Sequence, residues 1–301
     1  MGAKSATIVA NPRARGMRRF DTEEALRRLD TRGYEARLEL PDSPEGTAEA
    51  AGRAAACGDD FVFVLGGDGT VRLAAGAMAG SESALAVLPG GTANVWAKEA
   101  GIPRNLIRAL DAHLDGQQVA MDLGRANDEP FLLMAGIGWD AEIAATVTPA
   151  LKRKLGVLAY VLHGIPMLPR LRTAEVAWSA EGESAEERAG LIVVSNTRLY
   201  GGFLMFSMGA SARDGQLDAC IFTPRTAAEA LGQAIRVVVR RHSGVEGVRE
   251  LRTPEFDVTT PGLPVQLDGD VVGETPVTLT VERGAIRMSV PAGPLTPVLW
   301  E

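Results

Sequence analysis

Gly66-Gly67-Asp68-Gly69-Thr70 constrains this chain more than any other stretch. It follows an apolar run of strand type, Phe61-Val62-Phe63-Val64-Leu65, and precedes an alanine-rich helical segment from Val71. A strand that empties into glycines and then a helix start suits phosphate. Backbone N–H groups point outward, the helix dipole adds partial positive charge, and glycine lets an anion approach the main chain. Asp68 puts a carboxylate into this turn, where it is expected to serve Mg²⁺, a water or a hydroxyl rather than the phosphate itself. The plainer alternative is an ordinary tight βα turn.

The surrounding pattern favours the phosphate reading. Strands are expected at Ala6–Ala10, Tyr34–Leu40, Phe61–Leu65 and Ala84–Leu88, with helices between them at about Met17–Arg32, Pro44–Cys57 and Val71–Ala79. Ser43 before Pro44 and Glu45 is a cap followed by proline in the first turn. Such alternation implies a parallel sheet flanked by helices, with ligands at the carboxyl ends of the strands. Three polar or glycine-rich loops fall there: Asn11-Pro12, Gly66 to Thr70, and Pro89-Gly90-Gly91-Thr92.

From about Met121 short apolar runs separated by turns take over: Phe131–Ala135, Thr173–Trp178, Leu191–Ser195, Leu217–Phe222, Val265–Leu267, Val277–Val281 and Ile286–Val290. This is antiparallel β texture, a sandwich or open barrel. Helical insertions are expected at about Ala150–Leu168 and Thr226–His242. The expected division is residues 1–120, a nucleotide-binding α/β domain, and 121–301, a β-sandwich for the substrate whose C-terminal end is free to return to the first domain.

Composition narrows the function. The 301 residues suffice for two cores, and 46% apolar with 23% charged is ordinary for a globular protein. A net charge of -7 argues against nucleic acid, which wants a basic face. Cys57 and Cys220 are the only cysteines and have no metal spacing, so neither a disulfide scaffold nor a zinc site is expected. No signal-peptide pattern and no long uncharged apolar stretch appear, so the expected location is cytoplasmic.

In order and spacing, these motifs resemble the diacylglycerol kinase catalytic-domain superfamily, in particular its bacterial lipid kinases and the related sphingosine kinases. The motifs are Asn11-Pro12, Gly66 to Thr70, Leu88-Pro89-Gly90-Gly91-Thr92-Ala93-Asn94 and Asp122-Leu123-Gly124. Gly136-Ile137-Gly138-Trp139-Asp140-Ala141, Asn196, Tyr200-Gly201-Gly202, Asp214-Gly215-Gln216-Leu217-Asp218 and Asp268-Gly269-Asp270 complete the set. The resemblance implies ATP-dependent phosphorylation of a lipid hydroxyl, with nucleotide in a cleft between two domains. By similarity, Asn11 and Pro12 sit against the nucleotide, and Gly66, Gly67, Asp68, Gly69 and Thr70 hold phosphates and the metal–water shell. Gly91 belongs with them, and Thr92 offers a hydroxyl at a second helix start, with capping as the alternative for Thr92 and Asn94.

The resemblance makes Asp268 and Asp270 candidates for the base that accepts the hydroxyl proton. Alternate residues of a strand share a face, so both carboxylates are expected to point the same way and to raise one another's pKa. Relatives usually carry Asp-Gly-Glu here, so Asp270 is one methylene shorter. A polar turn is the alternative. Asp214, with backbone groups of Ser211 and Gln216, is implied as a second Mg²⁺ site, against the alternative of a hydrated turn. Further departures are Arg72 and Leu73, where relatives often have Asn and Glu, and Val95, where many have aspartate.

Leu151 to Arg172 is basic and apolar together, with Lys152, Arg153, Lys154, Arg170 and Arg172. It is expected either to rest on an anionic bilayer, as a peripheral membrane association, or to be a core helix with a solvated basic end. The expected partners are ATP and a lipid at a membrane surface; a homodimer is compatible with the sequence. His113, His163 and His242 read as surface or packing residues, and Cys57 and Cys220 as small core residues. Trp96 and Trp139 line a lipid cleft or pack in cores. A kinase for a soluble substrate such as NAD, and a non-catalytic nucleotide or lipid sensor, are the rival functions.

Overall fold

A computed structural model describes residues 4–139 and 173–301. The chain forms two compact units, one of Met1–Leu123 with Arg283–Glu301 and the other of Gly124–Glu282.

The first unit is α/β. Its strands are β1 (Lys4–Ala10), β2 (Tyr34–Glu39), β3 (Phe61–Gly66) and β4 (Ala84–Pro89), joined by α1 (Thr22–Thr31), α2 (Pro44–Ala56) and α3 (Asp68–Met78). After β4 come α4 (Val95–Glu99), α5 (Leu106–Leu114) and β5 (Gln117–Ala126). The strand order is β2-β1-β3-β4, all parallel, and the end of the last strand (Val277–Val290) returns to pair β4 in parallel at Met288 and Leu85. Every residue of β3 and β4 is buried. Central parallel strands covered on both faces read in this way as unbroken apolar runs. Caps fix the helix starts: Asp21 accepts from the Glu24 amide for α1, and Ser43 from the Gly46 amide for α2, with Pro44 in its first turn. The expected helix over Met17–Arg32 is two pieces, a 3₁₀ turn at Arg15–Arg19 and then α1, divided where Asp21 caps.

The second unit is an antiparallel sandwich. One sheet has the order β12-β11-β10-β7-β14-β15, built from β7 (Met134–Gly138), β10 (Leu191–Ser195), β11 (Leu217–Phe222), β12 (Val248–Thr253), β14 (Pro264–Leu267) and β15 (Asp270–Glu274). The other contains β8 (Ala174–Ala180), β9 (Glu183–Ala189), β13 (Glu255–Val258) and the start of β16 (Val277–Val290), while β6 (Glu129–Phe131) pairs with β5. Their inner faces supply one core. Ile192, Val194, Leu217, Ile221 and Leu267 come from the first sheet; Val176, Phe256, Val258 and Leu279 come from the second, with Trp178 and Phe256 stacked at 5.6 Å. The expected strands Val277–Val281 and Ile286–Val290 are one strand of 14 residues. A helix, α6 (Ala227–Val238), lies within the expected Thr226–His242. The expected helix Ala150–Leu168, the basic stretch to Arg172, and His163 lie outside the described residues.

Five smaller expectations change or resolve. Cys57 is exposed just past α2, not in a core, whereas Cys220 is buried in β11. His113 is a packing residue: its Nε2 lies 2.9 Å from the Val87 carbonyl and its Nδ1 3.0 Å from Ser289 Oγ. A carbonyl only accepts, so Nε2 carries the proton. His242 is buried as well, and Trp96 is core.

Candidate functional site

In the first unit three loops at the carboxyl ends of β1, β3 and β4 are fastened together. The Gly90 amide donates to the Gly66 carbonyl at 2.9 Å, and the Gly16 amide donates to the Gly90 carbonyl at 3.1 Å. The loops touch main chain to main chain. A Cβ built on Gly67 would stand 3.3 Å from Gly91 Cα, and one on Gly91 would enter both Gly67 Cα and Asn94 Oδ1. Glycine is required at Gly91 by this approach rather than by its dihedral angles. Asn11 closes its own loop, its Oδ1 accepting from the Arg13 amide at 2.8 Å. Asn94, in the left-handed region at φ 47°, accepts from the Gly91 amide at 2.9 Å and donates to the Gly91 carbonyl at 3.0 Å. Capping of its own loop is therefore the role the geometry gives Asn94. Thr92 lies in that loop, two residues before the residue preceding α4, and Pro12 lies in the first loop.

Asp68 holds two of these loops together. It is the first residue of α3, three residues before the expected start, so Asp68, Gly69 and Thr70 form the first helical turn. Its Oδ1 accepts from the Val95 amide at 2.7 Å and the Trp96 amide at 3.3 Å, which caps α4 from another element. Burial pushes its pKa above the usual carboxylate value, while the amides of Trp96 and Val95 pull it down. Burial is the larger influence, so the net shift is upward. Where α1, α2, α5 and α6 each carry a side-chain cap, α3 carries none. First-turn amides have no intrahelical acceptor, so those of Gly69 and Thr70 are donors for an anion.

In the second unit Asp268 and Gly269, at φ 52° and 92°, are the two-residue loop of the hairpin β14–β15, closing on the pair Leu267 and Asp270. Asp268 is therefore not a strand residue, and the strand-alternation argument for a carboxylate pair does not apply. Its carboxylate accepts from the amides of Leu132, Leu133 and Met134 at 2.8, 2.9 and 2.9 Å. These three bonds commit the carboxylate to holding the segment 132–134 against the hairpin. Asn196 grips the same segment, donating through Nδ2 to the Leu132 carbonyl at 2.9 Å. Asp270 begins β15 and is exposed.

The expected second metal position does not fit a cation. Asp214 Oδ1 accepts from the Gln216 amide at 2.9 Å, and its Oδ2 is ion-paired with Arg252. The guanidinium supplies the positive charge a metal would bring. Arg252 is also the cross-strand partner of Asp218, whose pKa burial pushes up to about 6 with Asp214 and Glu250 adding, against the pull of Arg252. Ser211 precedes this turn and is buried. Among the described residues, the three metal-type side chains that lie together are Cys220, His242 and Glu250, a different place.

Gly16 was not legible as part of the site, although a glycine five residues beyond Asn11 was the available signal. A Cβ there would press on Gly90 Cα and stand 3.3 Å from a Leu65 methyl.

Comparison with known proteins shows the family and the fold. Residues 5–126 match the diacylglycerol kinase catalytic domain, and residues 134–290 match the YegS C-terminal NAD kinase beta sandwich-like domain. A Bacillus subtilis protein named diacylglycerol kinase is 30% identical over 278 residues, covering 91% of this chain and 92% of the relative. A Pseudomonas aeruginosa protein named "probable lipid kinase YegS-like" is 35% identical over 256 residues, 82% of each chain. A crystal structure of a diacylglycerol kinase from Bacillus anthracis superposes with a TM-score of 0.77 at 23% identity, covering 96% of this chain and 98% of that one, which shows the shared fold.

Proposed function

The chain belongs to the diacylglycerol kinase catalytic-domain family, and on that premise we propose that it transfers the γ-phosphate of ATP to a lipid hydroxyl. The observation that carries this reading is the joined pair of glycine loops, with the α3 start left without a side-chain cap and its amides unmatched within the helix. Phosphoryl transfer asks a protein for positioning and charge stabilisation more than covalent chemistry. The amides of Gly67 to Thr70 bind phosphate oxygens, the loop from Pro89 to Thr92 backs them, and the Asn11-Pro12 loop contacts the nucleotide. Asp68 clasps the loops, so that two phosphate-binding segments keep one spacing. Bound with ATP, Mg²⁺ would supply charge neutralisation at the phosphates.

Asp270 is the base in this reading. It takes the proton of the lipid hydroxyl as that oxygen bonds to the γ-phosphorus and the bond to the β–γ bridging oxygen breaks, leaving ADP. Asp268 is the positioning residue that fixes the hairpin carrying Asp270. The acceptor is the hydroxyl of a diacylglycerol, a phosphatidylglycerol or a long-chain base; the name of the Bacillus subtilis relative favours the first.

The test is γ-labelled ATP supplied with a panel of these lipids and with NAD. Label is expected in a lipid, with Asp270→Asn lowering turnover roughly 10²–10⁴-fold at unchanged ATP affinity. Label in NADP would establish the soluble-substrate function instead. ATP binding with no transfer to any acceptor would establish a nucleotide sensor.

A further inference from the structure

Helix α6 (Ala227–Val238) presents two unlike faces. Ala230, Gln233 and Val237 are buried, and Gln233 Nε2 donates to the Gly247 carbonyl at 3.0 Å. Leu231, Ile235, Val238 and Val239 are 44%, 54%, 60% and 53% exposed. Their spacing (i, i+4, i+7, i+8) makes a single stripe facing away from the packed side. Isolated exposed aliphatics need no explanation, but four on one stripe do.

The charges around this stripe differ from those of the chain. Residues 225–241 contain four arginines and one glutamate within a protein of net charge -7. Arg236 flanks the stripe, and Arg240 and Arg241 follow its end; these three carry no ion pair among the described residues. The end of the helix is pinned, because His242 is buried and its Nε2 lies 2.7 Å from the Phe206 carbonyl. A helix that shows aliphatic side chains bordered by arginines suits the boundary between acyl chains and anionic headgroups.

We propose that the exposed face of α6 docks the protein on an anionic bilayer, with Leu231, Ile235, Val238 and Val239 among the acyl chains and Arg236, Arg240 and Arg241 against headgroup phosphates. The proposal rests on the lipid reading of the substrate, since a lipid acceptor must be reached at a surface. A second copy of the chain fits the face less well. The stripe offers on the order of a few hundred Å², below the roughly 800 Å² per partner of a stable interface.

Co-sedimentation with vesicles of phosphatidylcholine containing about a third phosphatidylglycerol, and with pure phosphatidylcholine, is the test. We expect binding to the anionic vesicles that weakens as salt rises. The Leu231→Ser, Ile235→Ser, Val238→Ser protein should lose binding at least about tenfold at unchanged melting temperature. An Arg240→Ser, Arg241→Ser protein should lose binding to the anionic vesicles while keeping any residual binding to phosphatidylcholine. Equal binding by all three proteins would overturn the proposal. So would a dimer, seen by sedimentation velocity, that the serine variant abolishes. Because vesicle binding is read without turnover, it can stand where no lipid is phosphorylated, and a lipid kinase with unaltered binding in both variants would sink this proposal alone.

Discussion

Gly91→Ala adds one methyl at the point where the two glycine loops meet. The new Cβ would lie well inside 3.0 Å of Gly67 Cα and 2.9 Å from Asn94 Oδ1. Neither neighbour yields easily: Gly67 Cα is main chain, and Asn94 is bound at both ends of its amide to Gly91. Carbon atoms in ordinary contact sit ~3.5–4.0 Å apart, so the loops must separate by at least about 1 Å. Overpacking of this kind costs about 1–3 kcal/mol. For a unit of this size that is a fall in melting temperature of roughly 2–12 °C. The separation also pulls the α3 start away from the loop after β4, and a shift of about 1 Å in a positioning element can cost 10²-fold in rate. Differential scanning calorimetry and titration calorimetry with Mg·ATP measure both effects. A Gly91→Ala protein with unchanged melting temperature and ATP affinity would refute the claim that the loops form one phosphate-binding surface.

Three further outcomes follow from individual contacts. Burial holds His113 at a pKa of about 4, below its ordinary 6.5. The unfolded chain therefore takes up a proton that the folded one refuses, and stability falls as pH drops from 6.5 towards 4, by about 2 kcal/mol between pH 7 and 5. Urea unfolding across that range should show this slope, and His113→Gln should flatten it; an equal slope in both proteins would contradict the assignment. Asp268→Asn leaves at least one of the amides of Leu132, Leu133 and Met134 facing an NH₂ group, so it should destabilise by about 1–3 kcal/mol. Asp270→Asn should leave the unfolding midpoint where it is while lowering turnover, and the reverse pattern would exchange the two roles.

The parts of the fold that stand in the sequence are those where one physical cause dominates. Buried parallel strands need apolar side chains on both faces, and Phe61–Leu65 and Ala84–Leu88 show this directly. The strands that did not announce themselves lie mainly at sheet edges. Glu183–Ala189, Val248–Thr253 and Asp270–Glu274 are each the last strand of a sheet, and all carry charge or stand open to solvent. An edge strand tolerates and uses such residues, which erases the apolar alternation that marks an inner one. Glu255–Val258 is an inner strand and escaped notice because four residues are too few to show a period.

The site was legible as a set of residues and less so as a set of roles. Glycines, asparagines and aspartates at strand ends mark special backbone whatever it does, so Asp68, Asn94 and Asp268 stood out. The partner of Asn94 is Gly91, three residues away, but those of Asp68 and Asp268 did not show, because each of their bonds crosses a long stretch of sequence. Asp68 reaches the α4 amides, and Asp268 reaches a segment more than a hundred residues earlier. Nor did the sequence show that Arg252 sits on Asp214, since the pair depends on the register of β11 against β12.

Hydrogen–deuterium exchange with and without a non-hydrolysable Mg·ATP analogue puts the phosphate claim to the most direct test. The amides of Gly67 to Thr70 head α3, where no helical carbonyl accepts from them, so without nucleotide they should exchange quickly. Nucleotide should slow exchange in peptides covering residues 66–70 and 89–94 and leave the β14–β15 hairpin amides unchanged. Saturating nucleotide without protection at residues 66–70 would contradict phosphate binding there.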